Sequence, residues 1–109
     1  MINGFITFLG TNNLEETHKF YTEVLDLRII KDQGVCKIYK IFDDTSIGFC
    51  EHLKPTIKEK NPIITFLCES VDKKYNELKE KGVYIKAEPK VNKKFNIYHF
   101  FIKDPNGYT

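Results

Sequence analysis

The sequence predicts an α+β fold built from two tandem βαβββ modules, and three observations support this prediction. The tetrapeptide Ile-Thr-Phe-Leu occurs at residues 6–9 and again at residues 64–67. A helix-like segment follows each copy, and the helix starts at Leu14 and Val71 are 57 residues apart, against 58 for the tetrapeptides. The order of elements around the two copies also matches. Whole supersecondary units that repeat at one spacing indicate an internal duplication.

The first module is predicted to span residues 1–52. Residues 2–9 are apolar and β-rich, and residues 11–13 provide turn and N-cap chemistry. Residues 14–27 predict an amphipathic helix, because Leu14, His18, Tyr21 and Leu25 recur at steps of three and four. The stretch LRIIKDQGVCKIYKIF alternates on both sides of a Lys-Asp-Gln-Gly turn and predicts a hairpin, and TSIGFCEH predicts one more strand.

The second module is predicted to span residues 62–109, after a polar linker at residues 53–61. PIITFLCES predicts a strand, VDKKYNELKEKG a helix that ends at Gly82, and VYIKAEP and FNIYHFFIKD two further strands. By symmetry with the first module, the last strand is predicted to be incomplete at Thr109. At 109 residues, the chain is predicted to form a single domain over residues 1–109.

Composition excludes several function classes. A net charge of +2, with both signs scattered, does not indicate a nucleic-acid partner. No signal peptide or membrane span is evident, so we predict a cytoplasmic protein with no membrane partner. Cys36, Cys50 and Cys68 form neither a disulfide framework nor a CxxC metal knuckle, so we predict reduced and mostly buried thiols.

Two motifs resemble the vicinal oxygen chelate superfamily, which includes glyoxalase I, extradiol dioxygenases, fosfomycin-modifying enzymes and bleomycin-resistance proteins. The first is Phe20-Tyr21 followed by Val-Leu-Asp-Leu, in which Asp26 replaces the usual glycine, and the second is the DPNGY stretch at residues 104–108. The resemblance covers the whole chain. It implies that the two modules form a curved, cup-shaped mixed sheet, and that the protein is a homodimer. The richness in Lys, Ile and Asn separately suggests a bacterial source.

In metal-dependent members, the resemblance implies a divalent metal held in the cup by a His on each module's first strand and a Glu on each module's last strand. The first His position falls on Ile6 or Phe5, and its counterpart falls on Ile63 or Ile64. The first Glu position falls near Gly48 or Cys50, and the second lies beyond Thr109. Isoleucine, phenylalanine and glycine side chains cannot bind a metal, so we expect no catalytic metal or other cofactor.

The three histidines do not rebuild such a site in the sequence. We expect a structural role for His18, on the helix, and a solvent-facing position for His52. His99 and Phe101 lie five and three residues before Asp104, at positions that line the cavity of the fosfomycin-modifying relatives. His99 is therefore the only candidate acid or base, although a histidine hydrogen-bonded within a half-buried strand is an equally good explanation.

We predict a protein that binds a small aromatic or hydrophobic molecule in the cup without a catalytic metal. The predicted lining residues are Phe5, Ile6, Phe8, Tyr39, His99 and Phe101, which would give a largely apolar pocket. One alternative is a metal-dependent lyase, isomerase or dioxygenase with an atypical ligand set for Ni, Zn, Mn or Fe. A second alternative is a non-catalytic regulatory or structural module. The predicted partners are a small-molecule ligand and a second copy of the chain.

Overall fold

The computed structural model describes residues 1–109, and its first half is a four-stranded mixed sheet with a helix on one face. Strand β1 pairs in parallel with β4, and the order across the sheet is β1-β4-β3-β2. The βαβββ prediction for the first module is thus confirmed. The elements of this half are β1 (Phe5–Gly10), α1 (Leu14–Lys19) with a following π-helical turn (Phe20–Val24), β2 (Arg28–Asp32), β3 (Cys36–Phe42) and β4 (Thr45–Cys50).

The helix of the first half has local signals at both ends. The Asn13 side chain accepts a hydrogen bond from the Glu16 N–H at 3.0 Å, which caps the start of α1. Beyond the π-helical turn, Asp26 has a φ of 58°, a left-handed conformation that favours glycine and that Asp tolerates. Lys81 Nζ donates to Asp26 Oδ2 at 2.7 Å. Asp26 thus keeps the turn that a glycine would make and adds an ion pair with the second half.

The two faces of the four-stranded sheet differ. Tyr39, Ile47 and Phe49 point towards α1 and pack with Leu14 and Tyr21 in the hydrophobic core. The opposite face, which we call the cup face, carries side chains of the other parity. Its members are Ile6, Phe8, Cys36, Ile38, Lys40, Ser46, Gly48 and Cys50, as the strand register requires.

The two motifs of the sequence contact each other. Tyr21 Oη donates to Asp104 Oδ2 at 2.8 Å, and Tyr108 Oη donates to the carbonyl oxygen of Gly10 at 2.8 Å. The Asn106 side chain hydrogen bonds with the hydroxyls of Thr11 and Thr17, both of which are fully buried. The DPNGY turn therefore docks on the first half and fixes the second half to the core.

The second half contains less regular structure than predicted. It consists of α2 (Val71–Glu80) and a hairpin of β5 (Lys90–Asn92) and β6 (Ile97–His99). The predictions of strands over residues 62–70 and 83–89 are wrong in this structure, and the strand predicted for residues 95–104 is confined to β6. Apolar residues with high β-propensity form a strand only where a neighbouring backbone segment completes the hydrogen-bond ladder. Residues 63–68 have one such bond, from the Ile64 N–H to the Thr109 carbonyl oxygen at 2.9 Å.

Candidate ligand-binding face

Phe8 dominates the cup face of the four-stranded sheet. It lies opposite Gly48 in the parallel β1–β4 pair. A Cβ atom placed on Gly48 would lie 2.6 Å from two carbon atoms of the Phe8 ring and 3.5 Å from Ile38 Cγ1. The aromatic ring therefore fills the space into which a longer side chain at residue 48 would project.

The donor set on this face does not fit an oxygen-chelating metal centre. Ile6 lies on the cup face at one expected ligand position, and the Phe8 ring covers Gly48 at another. Of the two residues at the matching place of the second half, Ile64 packs against the hydrophobic core and Ile63 is 51% exposed, and neither side chain can ligate a metal. Cys50 is the one residue at these positions with a sulfur that could ligate a metal, and this sulfur is held in the disulfide with Cys36. Carboxylate and imidazole ligands are therefore missing at the three implied positions that lie within residues 1–109.

Tyr39 does not line the cup, and that prediction is wrong. Its side chain is fully buried on the helix side of the sheet, because it lies opposite Ile47 in the β3–β4 register. His18 Nδ1 lies 2.9 Å from Tyr39 Oη, so the structural role predicted for His18 agrees with this contact. Burial, with the nearby Asp32 carboxylate, raises the pKa of Tyr39 to about 12. The phenol is therefore neutral at physiological pH.

Phe5 and Ile6 point to opposite sides of β1, since successive side chains alternate along a strand. Phe5 shares its parity with Leu9, which packs against the core, whereas Ile6 shares its parity with Phe8. Of the two registers that the sequence left open, the one with Ile6 on the cup face is therefore correct. Phe5 instead contributes to an open cavity at the start of β1.

That cavity has a volume of about 590 Å³. It contains the Asp43-Asp44 turn between β3 and β4, which sequence reasoning did not connect with the site. A parallel β1–β4 pair places the start of β4 beside the start of β1, and this topology could have indicated the juxtaposition. The lining residues are Ile2, Asn3, Gly4, Phe5, Ile6, Ile30, Asp43, Asp44 and Ser46.

His99 and Phe101 lie together, as strand alternation predicts. Their ring centroids are 4.8 Å apart in an edge-to-face arrangement, and Lys60 Nζ lies 3.9 Å from the centroid of Phe101. His99 Nδ1 is buried and has no hydrogen-bond partner, so the interpretation of His99 as a hydrogen-bonded strand residue is not supported. This pair belongs to the second half, whereas Ile6 and Phe8 belong to the four-stranded sheet.

The cysteines correct the prediction of three reduced thiols. Cys36 and Cys50 are directly opposite each other on β3 and β4, with Cα atoms 4.1 Å apart, and form a disulfide. Cys68 is a free thiol and is exposed. The cross-strand pairing could not be predicted from spacing, because it depends on the register of the hairpin.

The βαβββ sheet and the docked DPNGY turn define a protein of the vicinal oxygen chelate type. The chain belongs to the glyoxalase/bleomycin resistance protein/dioxygenase superfamily, since the model of that family matches residues 5–109. The resemblance noted from the two motifs is thereby confirmed. A comparison with curated protein sequences gives no significant match.

Solved structures share the fold. An integron cassette protein from the mobile metagenome of the Halifax Harbour sewage outfall is 19% identical with a TM-score of 0.80, over 99% of this chain and 94% of that one. A superfamily member from Sphaerobacter thermophilus is 16% identical with a TM-score of 0.76, over 99% and 93%. Lactoylglutathione lyase from Agrobacterium tumefaciens is 17% identical with a TM-score of 0.68, over 94% and 86%. At these identities the likeness concerns the fold alone. Neither helix of the chain has the length and hydropathy needed to span a membrane.

Proposed function

We propose that the protein binds a small aromatic or hydrophobic molecule on the cup face without a catalytic metal. The observation that carries the proposal is the Phe8 ring over Gly48, flanked by Ile6. An aromatic ring and an isoleucine stand where a metal centre would need ligands. They offer an apolar surface on which an aromatic group can stack.

The surroundings favour a ligand that also carries polar or cationic groups. Ile6 and Phe8 are 47% and 45% exposed, so about half of each side chain is available for contact. The Asp43 and Asp44 carboxylates at the adjoining cavity suit a positively charged substituent. In the second half, Phe101 offers another aromatic surface, with the ring of His99 packed edge-to-face against it.

We expect a homodimer to be the functional form. Large apolar side chains of the second half, including Ile63, Leu67 and Tyr84, are exposed in the single chain. A second copy of the chain would cover this exposed apolar surface and so remove the unfavourable free energy of its contact with water. Sedimentation velocity would test this expectation, and a monomer at micromolar concentration would contradict it.

The binding experiment uses protein that has been treated with EDTA and kept in the disulfide form. Bleomycin serves as a large cationic probe and 2-naphthol as a small uncharged one, each titrated by isothermal calorimetry. We expect at least one probe to bind, and Phe8→Ala to weaken it by about tenfold or more, because a stacked aromatic contact is worth about 1.5 kcal/mol. Phe95→Ala, which removes an exposed phenylalanine from the β5–β6 turn, is the matched control and should not change the affinity.

Two results would support the alternatives. Stoichiometric Ni, Zn, Mn or Fe in the disulfide form, lost in His99→Ala, would favour a metal-dependent lyase or dioxygenase. Absence of binding to either probe, with no metal uptake, would favour a regulatory or structural module.

A further inference from the structure

A cluster of two cysteines and a histidine lies at one end of the four-stranded sheet. Cys36 begins β3, Cys50 ends β4 and His52 follows in the next turn. The Sγ atoms of both cysteines and one ring nitrogen of His52 lie within 4.8 Å of one another. His52 Nδ1 is 3.8 Å from Cys36 Sγ. The metal positions implied by the family resemblance share only Cys50 with this cluster.

The backbone holds the cluster in place. The Glu51 N–H donates to the Val35 carbonyl oxygen at 2.8 Å, so the strands remain paired just beyond the cysteines. Cys36 and Cys50 thus form a directly opposite, non-hydrogen-bonded pair, in which side chains approach most closely. Both cysteines are buried, whereas His52 is exposed. The three groups therefore converge at a place where one side is open to solvent.

Two thiolates and an imidazole are a typical ligand set for zinc. We propose that the reduced form of the protein binds one Zn²⁺ through Cys36, Cys50 and His52, and that the disulfide form does not. The exposed side of the cluster leaves a fourth coordination position for water or an exogenous ligand. The sulfur atoms of a disulfide carry no thiolate charge, so the bond and the metal exclude each other.

A dithiol reductant can convert the disulfide form of the protein into the zinc-binding form. The reductant gives two electrons and two protons to the Cys36–Cys50 bond, which breaks to two thiols, while the reductant becomes a disulfide. Zn²⁺ then displaces the two thiol protons as the thiolates coordinate. This proposal concerns the first half alone and does not depend on the proposed ligand in the cup.

Cobalt substitution tests the site directly. The full chain is reduced with a phosphine, desalted without oxygen and titrated with Co²⁺, and Zn²⁺ is then added. We expect one Co²⁺ per chain with a thiolate-to-cobalt charge-transfer band and the visible bands of tetrahedral cobalt, both removed by Zn²⁺. Protein with the Cys36–Cys50 disulfide intact should have one titratable thiol, that of Cys68, and show no bands.

Variants separate the proposed site from other causes of binding. His52→Ala changes an exposed residue, so the variant should fold normally. Its affinity for the metal should be lower by about tenfold or more. Cys36→Ser should lose the charge-transfer band, and Cys68→Ser should bind as the unchanged protein does. Absence of bands in the reduced protein, unchanged affinity in His52→Ala, or loss of binding in Cys68→Ser would each overturn the proposal.

Discussion

The two halves of the chain contain the same order of sequence patterns but differ in how their strands are held. In the first half, β4 lies between β1 and β3, and both of its edges are paired. In the second half, residues 63–68 repeat part of the sequence pattern of β1 but make a single backbone hydrogen bond, and their apolar side chains remain partly exposed. A hydrophobic, β-rich sequence therefore has a preference for strand conformation, but it forms a hydrogen-bonded ladder only where a neighbouring strand is available to pair with it.

The repeated tetrapeptide shows this difference at one residue. Ile64 packs against the core and donates its N–H as Phe5 does in the first half, where Phe5 donates to the Asp44 carbonyl oxygen at 2.8 Å. Ile6 has the opposite parity and lies on the cup face. The isoleucine of the second tetrapeptide therefore packs against the core, whereas that of the first lies on the face away from it.

The largest expected effect contrasts a core residue of the first half with an exposed residue of the second half. Phe49→Ala removes a fully buried ring between Tyr21 and Tyr108, so we expect a loss of about 3–5 kcal/mol in the free energy of unfolding. Phe95→Ala should change it by less than about 0.5 kcal/mol, since that side chain is 65% exposed. Urea denaturation measures both, and equal losses would break the contrast between the halves.

Reduction of the Cys36–Cys50 disulfide should cause the second largest loss in the free energy of unfolding. The two cysteines are separated by 14 positions, and a bond that closes a loop of this size contributes about 3 kcal/mol by the chain-entropy argument. The midpoint of urea unfolding should therefore fall when reductant is added. Cys36→Ser provides the control, because its midpoint should not respond to reductant.

The next largest expected loss of stability comes from a substitution at the junction between the two halves. The Asp104 carboxylate accepts hydrogen bonds from Tyr21 Oη and from the N–H groups of Asn106 and Tyr108. Asp104→Ala leaves these donors unpaired and should cost about 2 kcal/mol. Hydrogen exchange should then rise at residues 104–109 and in α2, while β3 and β4 keep their protection. Equal loss of protection in both halves would show that the chain unfolds as one unit.

The smallest effect is confined to high pH. The pKa of Tyr39 is raised from 10.0 to about 12, and burial also raises the pKa of Tyr21. A group whose pKa is raised in the folded state stabilises the fold fully below its unfolded pKa, and this contribution is lost as pH rises through the folded value. Stability should therefore fall between about pH 10 and pH 12. Tyr39→Phe should make that fall less steep, and an unchanged slope would contradict the assignment.

Much of the first half and the family could be predicted from the sequence. The helix that begins at Leu14, which ends at Val24 rather than at the predicted residue 27, depends on local periodicity and capping, which act over a few residues. The hairpin and the turn at residues 104–107 depend on local alternation and turn chemistry. The positions of Ile6 and Gly48 also follow from the motifs, and both are residues that cannot ligate a metal. The sequence alone therefore predicts that these two positions lack the usual His and Glu metal ligands.

The sequence by itself determined the family, the βαβββ order of the first half and the apolar residues at positions, such as Ile6, where the resemblance implies metal ligands. The tertiary structure alone decided that Tyr39 is a core residue, that Cys36 meets Cys50, and that the Phe8 ring covers Gly48. Each of these depends on strand register, and a shift of one residue exchanges the two faces of a strand without changing its local preferences. Register is fixed by packing between segments far apart in the chain, which no short stretch of sequence contains.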